Sequence, residues 1–174
     1  MKKEINVWEY APQILEALPK GVLLTTKSGE TVNTMTIGWG TLGIEWGKPI
    51  FIAYVRPSRY TKKLLDENPE FTVNIPVGEL DKSILGVCGS KSGRDMNKIK
   101  ELNLTLEEPL TGNVPAICQL PLTLECKVIY TQAQDPKAIE PALDARFYAK
   151  DTTNEGDYHI AYYGEITAAY IVES

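Results

Sequence analysis

Val22-Leu-Leu-Thr-Thr26, Lys27-Ser-Gly-Glu30 and Asn33-Thr-Met-Thr-Ile-Gly-Trp-Gly40 follow one another near the start of the chain. The first stretch suits an extended backbone, and the second is a cluster of turn formers. The third alternates in character, so the three together predict a β-hairpin whose second arm runs from Asn33 to Thr41. Strand side chains point alternately to opposite faces. Met35, Ile37 and Trp39 therefore form a bulky apolar face, as a core face should be. Thr34, Thr36, Gly38 and Gly40 form a flat, hydroxyl-bearing one. That second face lets a planar ligand approach the backbone; the same glycines also serve simply to relieve curvature in a barrel.

Outward from this hairpin, other strands recur between tight turns. Ile50-Phe-Ile-Ala-Tyr-Val55 and Phe71-Thr-Val-Asn-Ile75 read as strands, as do Leu122 to Thr131, Ala145 to Lys150 and Tyr158 to Val172. Short helices are predicted over Tyr10–Leu18, Ser58–Glu67, Leu80–Cys88 and Arg94–Leu102. In the first, Ile14, Leu15 and Leu18 share a face and Pro12 sits in the opening turn. Strands outnumber helices and occur as hairpin arms. This favours an antiparallel barrel or sandwich over a parallel α/β sheet. No repeat, low-complexity tract or linker interrupts residues 1–174, so a single domain is expected.

Composition narrows the chemistry. The net charge of −5 lacks the broad positive field that non-specific nucleic-acid binding needs. Cys88, Cys118 and Cys126 form no CxxC pair, and His159 is the sole histidine. A zinc finger, an HExxH site and a two-histidine iron site are thereby excluded. No GxSxG elbow supports a serine nucleophile. The opening residues contain no apolar h-region, and no apolar run nears the roughly 20 residues needed to cross a bilayer. The expectation is a reduced, cytoplasmic protein without membrane partners.

Anion chemistry concentrates at Arg56-Pro-Ser-Arg-Tyr-Thr61, where a strand gives way to a helix. Unpaired N–H groups and the positive end of the helix dipole gather at such a junction. Ser58 is a natural N-cap, Thr61 adds a hydroxyl, and Arg56 and Arg59 bring bidentate forks suited to phosphate. An ordinary capped helix with two solvated arginines explains the same residues. Gly89-Ser-Lys-Ser-Gly-Arg-Asp95 is not a P-loop, because Lys91 stands where GxxxxGK[ST] requires glycine. Ser90, Ser92 and Arg94 can still meet an anion from it. His159 lies in a predicted strand, where a structural and a catalytic role are both open.

The order of these motifs resembles the flavin reductase-like, FMN-binding split-barrel family, particularly its flavoredoxin-type branch. The resemblance runs from about Leu18 to Val172. It rests on Asn33-Thr-Met-Thr36, Pro49 to Thr61, Phe71-Thr-Val-Asn-Ile-Pro76, Ser92-Gly-Arg-Asp-Met-Asn-Lys98, Leu124-Glu-Cys126, and His159 ahead of Gly164-Glu165. It implies a six-stranded antiparallel split barrel of Greek-key type, homodimeric, holding FMN non-covalently. By the same resemblance Asn33, Thr34, Met35 and Thr36 contact the isoalloxazine, while Arg56, Ser58, Arg59 and Thr61 hold the phosphate and ribityl chain. Asn74 with the Ser90, Ser92 and Arg94 loop completes the pocket, and His159 lies on the nicotinamide side. The implied activity is hydride transfer from NAD(P)H to flavin. The alternatives are a flavoredoxin-like carrier serving an electron-transfer protein partner, and a non-catalytic barrel holding haem or another planar ligand. Where the family has an acidic residue, lysine and phenylalanine in succession, this chain reads Asn97-Lys98-Ile99. The segment from Asp135 to Glu155 is individual to it.

Overall fold

In a computed structural model, residues 1–148 and 156–173 are described. In chain order the elements are β1 (Lys2–Glu4), α1 (Val7–Ala17), β2 (Val22–Ser28), β3 (Thr31–Ile37), β4 (Gly40–Glu45), β5 (Lys48–Val55), α2 (Tyr60–Glu67) and β6 (Glu70–Ile75). There follow α3 (Lys82–Ser90), α4 (Lys98–Glu101), β7 (Leu106–Glu107), β8 (Ala116–Ile117), β9 (Leu122–Ala133), α5 (Pro141–Phe147) and β10 (Ile160–Val172). The protein is mainly β, an antiparallel split barrel with short helices.

The main sheet runs β3-β2-β6-β9-β10-β5-β4, with β1 added beside β10. Among the described residues it therefore has eight strands rather than the expected six. The predicted hairpin is present: Val22 pairs with Ile37 and Ser28 with Thr31 around the Gly29-Glu30 turn. Strands β9 and β10 are the longest, and register shifts at Tyr163/Gly164 and Ile166/Ala168 bend them around the core.

Inside, Ile14, Leu24, Met35, Ile37, Phe51, Phe71, Val73 and Leu124 form the main apolar cluster. Met35 and Ile37 thus take the core face that alternation assigned them. Trp39 does not; it lies beyond the end of β3 and is 46% exposed. On the opposite face of β2, Leu23 packs with Ile84, Cys88, Leu104, Ile117 and Leu120 beneath α3 and the loops that follow.

The flat threonine face corrects an expectation. Thr34 is fully buried: its hydroxyl donates to the Leu24 carbonyl and accepts from the Thr25 hydroxyl at 3.0 Å. Asn74 is equally buried, accepting from Thr25 and Thr72 and donating to Thr123. These side chains form a hydrogen-bonded layer under the protein's own cover, because buried hydroxyl and amide groups need partners. Gly40 is needed for close packing across β5: a Cβ there would come within 2.7 Å of the Phe51 ring. At Thr34 and Gly40 the smoothness of this face serves the interior.

Several predicted elements shift. The segment read as a strand from Ala145 is instead the end of α5, with Pro141 at its first turn; residues 149 and 150 lie outside the described residues. Helix α1 starts earlier than expected, at an Asn6 cap whose side chain accepts from the Trp8 N–H, so Pro12 falls inside the helix. Leu15 is half exposed, whereas Ile14 and Leu18 are buried. The helix expected over Arg94–Leu102 shrinks to α4, capped by Asn97.

Candidate functional site

Two neighbouring hollows meet at the junction of β5 and α2. The first, about 330 Å³, is lined by Asn33, Met35, Arg56, Ser58, Arg59, Tyr60, Thr61, the Ser90–Arg94 loop, Lys98 and Asp157. The second, about 210 Å³, is lined by Met35, Thr36, Ile37, Gly38, Trp39, Tyr54, Arg56, Arg59 and His159. Met35, Arg56 and Arg59 belong to both, so one cleft has a cationic end and an aromatic end. A larger open groove of about 820 Å³ lies between α1 and α3. Its charged lining residues are of both signs, Glu16, Lys20, Glu79 and Lys82, and Lys20 is paired with Glu16.

The cationic end follows from local chain geometry. β5 delivers Arg56, and α2 begins two residues past Ser58, so the N-terminal end of that helix borders the hollow. Ser58 is nevertheless not the helix cap; Arg59 holds that position without a side-chain cap. The Ser58 N–H and hydroxyl both donate to the Asp157 carboxylate, at 3.1 and 2.5 Å. A carboxylate of the chain itself thus takes the donors that the sequence reading assigned to a phosphate.

Arg56 is also differently engaged. Its guanidinium donates to the Phe147 carbonyl at 2.9 Å and the Asp157 carbonyl at 3.2 Å, and it covers the Tyr148 ring. It ties α5 to the start of β10. Among the described residues Arg59 makes one long hydrogen bond, to the Gly89 carbonyl at 3.5 Å. Arg94 donates to the Ser58 carbonyl and stacks on Tyr60. The Ser90 hydroxyl donates back to Gly86 within α3, while the Ser92 hydroxyl accepts from the Arg94 N–H. Thr61 is buried and accepts from the Asn33 amide. Thr36 donates to the Leu85 carbonyl and borders the aromatic end.

Of the site residues expected from sequence, Asn33, Met35, Thr36, Arg56, Ser58, Arg59, Thr61, Ser90, Ser92, Arg94 and His159 line one hollow or the other. Thr34 and Asn74 line neither, for the reason given above. Among the lining residues that sequence did not assign to the site, two charged ones matter most. Lys98 is 4% exposed, and its ammonium donates to the Thr34 and Cys88 carbonyls at 2.9 and 3.0 Å. Burial draws its pKa below the usual lysine value, with the nearby Arg59 acting in the same direction and the Cys88 thiolate form opposing. Asp157, with φ of 37°, is the other.

At the aromatic end, His159 is 7% exposed, with Trp39 at 5.2 Å and Tyr54 at 6.5 Å between ring centroids. Burial first, with Arg56 and Arg59 in the same direction and Asp157 opposing, lowers the His159 pKa to about 4. The imidazole is therefore neutral at neutral pH.

The family model for the flavin reductase like domain matches residues 15–174. An uncharacterized protein of Archaeoglobus fulgidus is 32% identical over 130 residues, covering 74% of this chain and 69% of the relative. The flavoredoxin of Methanosarcina acetivorans is similar in structure, with a TM-score of 0.65 and 25% identity over 88% of this chain and 68% of that one. A Streptomyces globisporus NADH:FAD oxidoreductase shares the fold at a TM-score of 0.61 and 15% identity, over 87% of this chain and 75% of its own. With a family match over most of its length and a cleft at the β5–α2 junction, this chain belongs to the flavin reductase-like family.

Proposed function

We propose that the protein is an FMN-dependent oxidoreductase of flavin reductase type, moving hydride from NAD(P)H to flavin, and that it works as a cytoplasmic homodimer. The observation that carries this reading is the joining of a cationic hollow to an aromatic one through Met35, Arg56 and Arg59. A ligand with an anionic tail and a flat ring matches that arrangement, and both volumes suit parts of a small-molecule site.

The donor set fits a phosphate ester. Arg59, Lys91, Arg94 and Lys98 outnumber the Asp157 carboxylate at the cationic end, in a chain that is acidic overall. Arg59 and Arg94 supply the forks, and Ser92 and Thr61 supply hydroxyls. Ser58 joins them only when Asp157 releases it. Lys98, anchored by two backbone carbonyls, holds its charge at a fixed point on the cavity wall. Met35 and Trp39 offer apolar contact to a ring, and His159 offers a neutral imidazole edge. When bound, flavin supplies hydride acceptance and one-electron transfer, so the protein needs no nucleophile of its own. Free Cys88, Cys118 and Cys126 support a reducing, cytoplasmic setting.

The test is anaerobic titration of the FMN-loaded protein with NADH and then NADPH, following the flavin band at about 450 nm. Bleaching by either nucleotide is expected. A second reading, an electron carrier for a protein partner, is favoured by the likeness to the Methanosarcina flavoredoxin. A stable band with both nucleotides, bleached by a one-electron donor, selects that reading. Failure to bind FMN at all removes both.

A further inference from the structure

The lone histidine has a partner from a part of the chain that the motifs do not reach. Tyr148, just beyond α5, is 6% exposed, and its hydroxyl lies 2.6 Å from His159 Nδ1. Its ring stacks on Tyr158 at 4.8 Å and is covered on another side by the Arg56 guanidinium at 4.9 Å. Arg56 also grips the Phe147 and Asp157 carbonyls on either side of the pair. The Tyr148–His159 contact is therefore held by packing, by a cation and by backbone ties. Gln134 completes the support, its side chain accepting from the His159 N–H and its own N–H donating to the His159 carbonyl.

Direction follows from chemistry. A phenol is a good donor and a weak acceptor, since its lone pairs are shared with the ring. An unprotonated imidazole nitrogen is a strong acceptor. The cation beside Tyr148 sharpens this preference by favouring negative charge at the phenol oxygen. Other groups facing the imidazole are the Trp39 and Tyr54 rings and the charges of Arg56, Arg59 and Asp157. The arginines disfavour a second proton on the ring, and Asp157 alone opposes them. With Nδ1 accepting, the single ring proton must sit on Nε2. Among the described residues Nε2 has no hydrogen-bond partner, and His159 borders the aromatic hollow while Tyr148 does not.

We propose that Tyr148 is a positioning residue that fixes His159 in the Nε2–H form, making it a hydrogen-bond donor to an acceptor atom on the ring of the bound ligand. This rests on the flavin-binding reading for the ligand, but the tautomer itself does not. The arrangement selects ligands with a carbonyl oxygen or an unprotonated ring nitrogen at that edge, and disfavours those presenting N–H there.

Because the chain has one histidine, nitrogen-15 NMR of the imidazole gives one pair of ring signals, free of overlap. In the flavin-free protein near neutral pH, Nδ1 should resonate as an unprotonated acceptor and Nε2 as a protonated donor. Tyr148→Phe keeps the ring packing and removes the hydroxyl. The two signals should then move toward a tautomer average, and protonation should begin at higher pH than in wild type. The variant should also bind FMN about fivefold more weakly, the worth of one neutral hydrogen bond. A wild-type spectrum with the proton on Nδ1 overturns the proposal, and so does a Tyr148→Phe spectrum that superimposes on it. Should the variant not fold, the wild-type spectrum still decides the tautomer. Adding FMN to wild type should shift the Nε2 signal. If absorbance shows FMN bound while that signal stays still, the donor role is wrong; if FMN does not bind, the functional reading fails while the tautomer assignment stands or falls on its own spectrum.

Discussion

Arg59 and Arg56 leave the same turn but take different work. Arg59 has most of its donors available in the cationic hollow, so Arg59→Ala should weaken FMN binding by about 1.5–3 kcal/mol, the range for charge-assisted hydrogen bonds. Arg56→Ala should instead free the Phe147 and Asp157 carbonyls and loosen that junction, seen as faster amide exchange around Asp157. Equilibrium dialysis and hydrogen exchange separate the two outcomes. Asp157→Asn should tighten FMN binding, because it removes the negative charge that competes for the Ser58 donors. His159 gives a pH dependence of fixed sign. Its folded pKa of about 4 lies below the unfolded value near 6.5, so the unfolded chain binds the extra proton between them and stability falls as pH drops through that window. Urea unfolding at about pH 7.5 and about pH 5 should show a loss of about 2 kcal/mol that His159→Gln abolishes. Sequence made His159 and Arg59 legible, because rarity and a strand-to-helix junction are local signals. Lys98, Tyr148 and Asp157 were not, since each acts across the fold: Lys98 on a carbonyl of β3, Tyr148 on the residue before β10, Asp157 on the turn before α2.

Among the elements, β2, β3, β5, β6 and the long β9 and β10 were readable from alternation and turn residues, whereas β4 was not, because the single arm expected from Asn33 to Thr41 runs across its start. Alternation distinguishes two faces but not which one the chain later covers. Thr34 and Asn74 illustrate this: α3 and the segment after it close over the threonine face, turning a promising ligand surface into a buried polar layer. Helix α5 was misread because Ala145-Arg-Phe-Tyr148 alternates like a strand, while the informative residue was Pro141 at its first turn. The loop leading into β8 depends on one side chain of β9. Glu125, 2% exposed, accepts from the Leu110, Thr111 and Gly112 N–H groups and from the Thr111 hydroxyl. Burial works to raise its pKa, but those hydrogen bonds outweigh burial and hold it below the usual carboxylate value. Glu125→Gln turns an acceptor into a group that is half donor, and should lower stability by about 2–3 kcal/mol in denaturant titration.

For the whole molecule, the outer surface near the β4–β5 turn is unusually apolar. Ile44 is 71% exposed and Trp46 56%, with Tyr130 and Tyr163 clustered against Trp46. Apolar patches of this kind on a folded protein mark contact surfaces. Sedimentation should show a dimer, and Trp46→Glu should shift it toward monomer while leaving the far-ultraviolet dichroism intact. Among the described residues no helix is long and apolar enough to cross a membrane. Barrel class and strand sequence were visible in advance because they need only local pattern. The strand count was not, since β1, which joins the sheet beside β10, is only three residues long and carries no alternation to read, and β4 begins inside the stretch read as one arm from Asn33 to Thr41.

Trp39 stands edge-on to Phe147 and beside His159, with ring centroids 5.1 and 5.2 Å away, whereas Trp8 and Trp46 sit elsewhere on the barrel. Replacing those two with phenylalanine leaves one tryptophan, at the mouth of the cleft, to be excited apart from the tyrosines. Its emission would dim when the neighbouring imidazole gains a proton and would be quenched by energy transfer to a yellow chromophore arriving nearby, so the molecule carries its own optical gauge of occupancy.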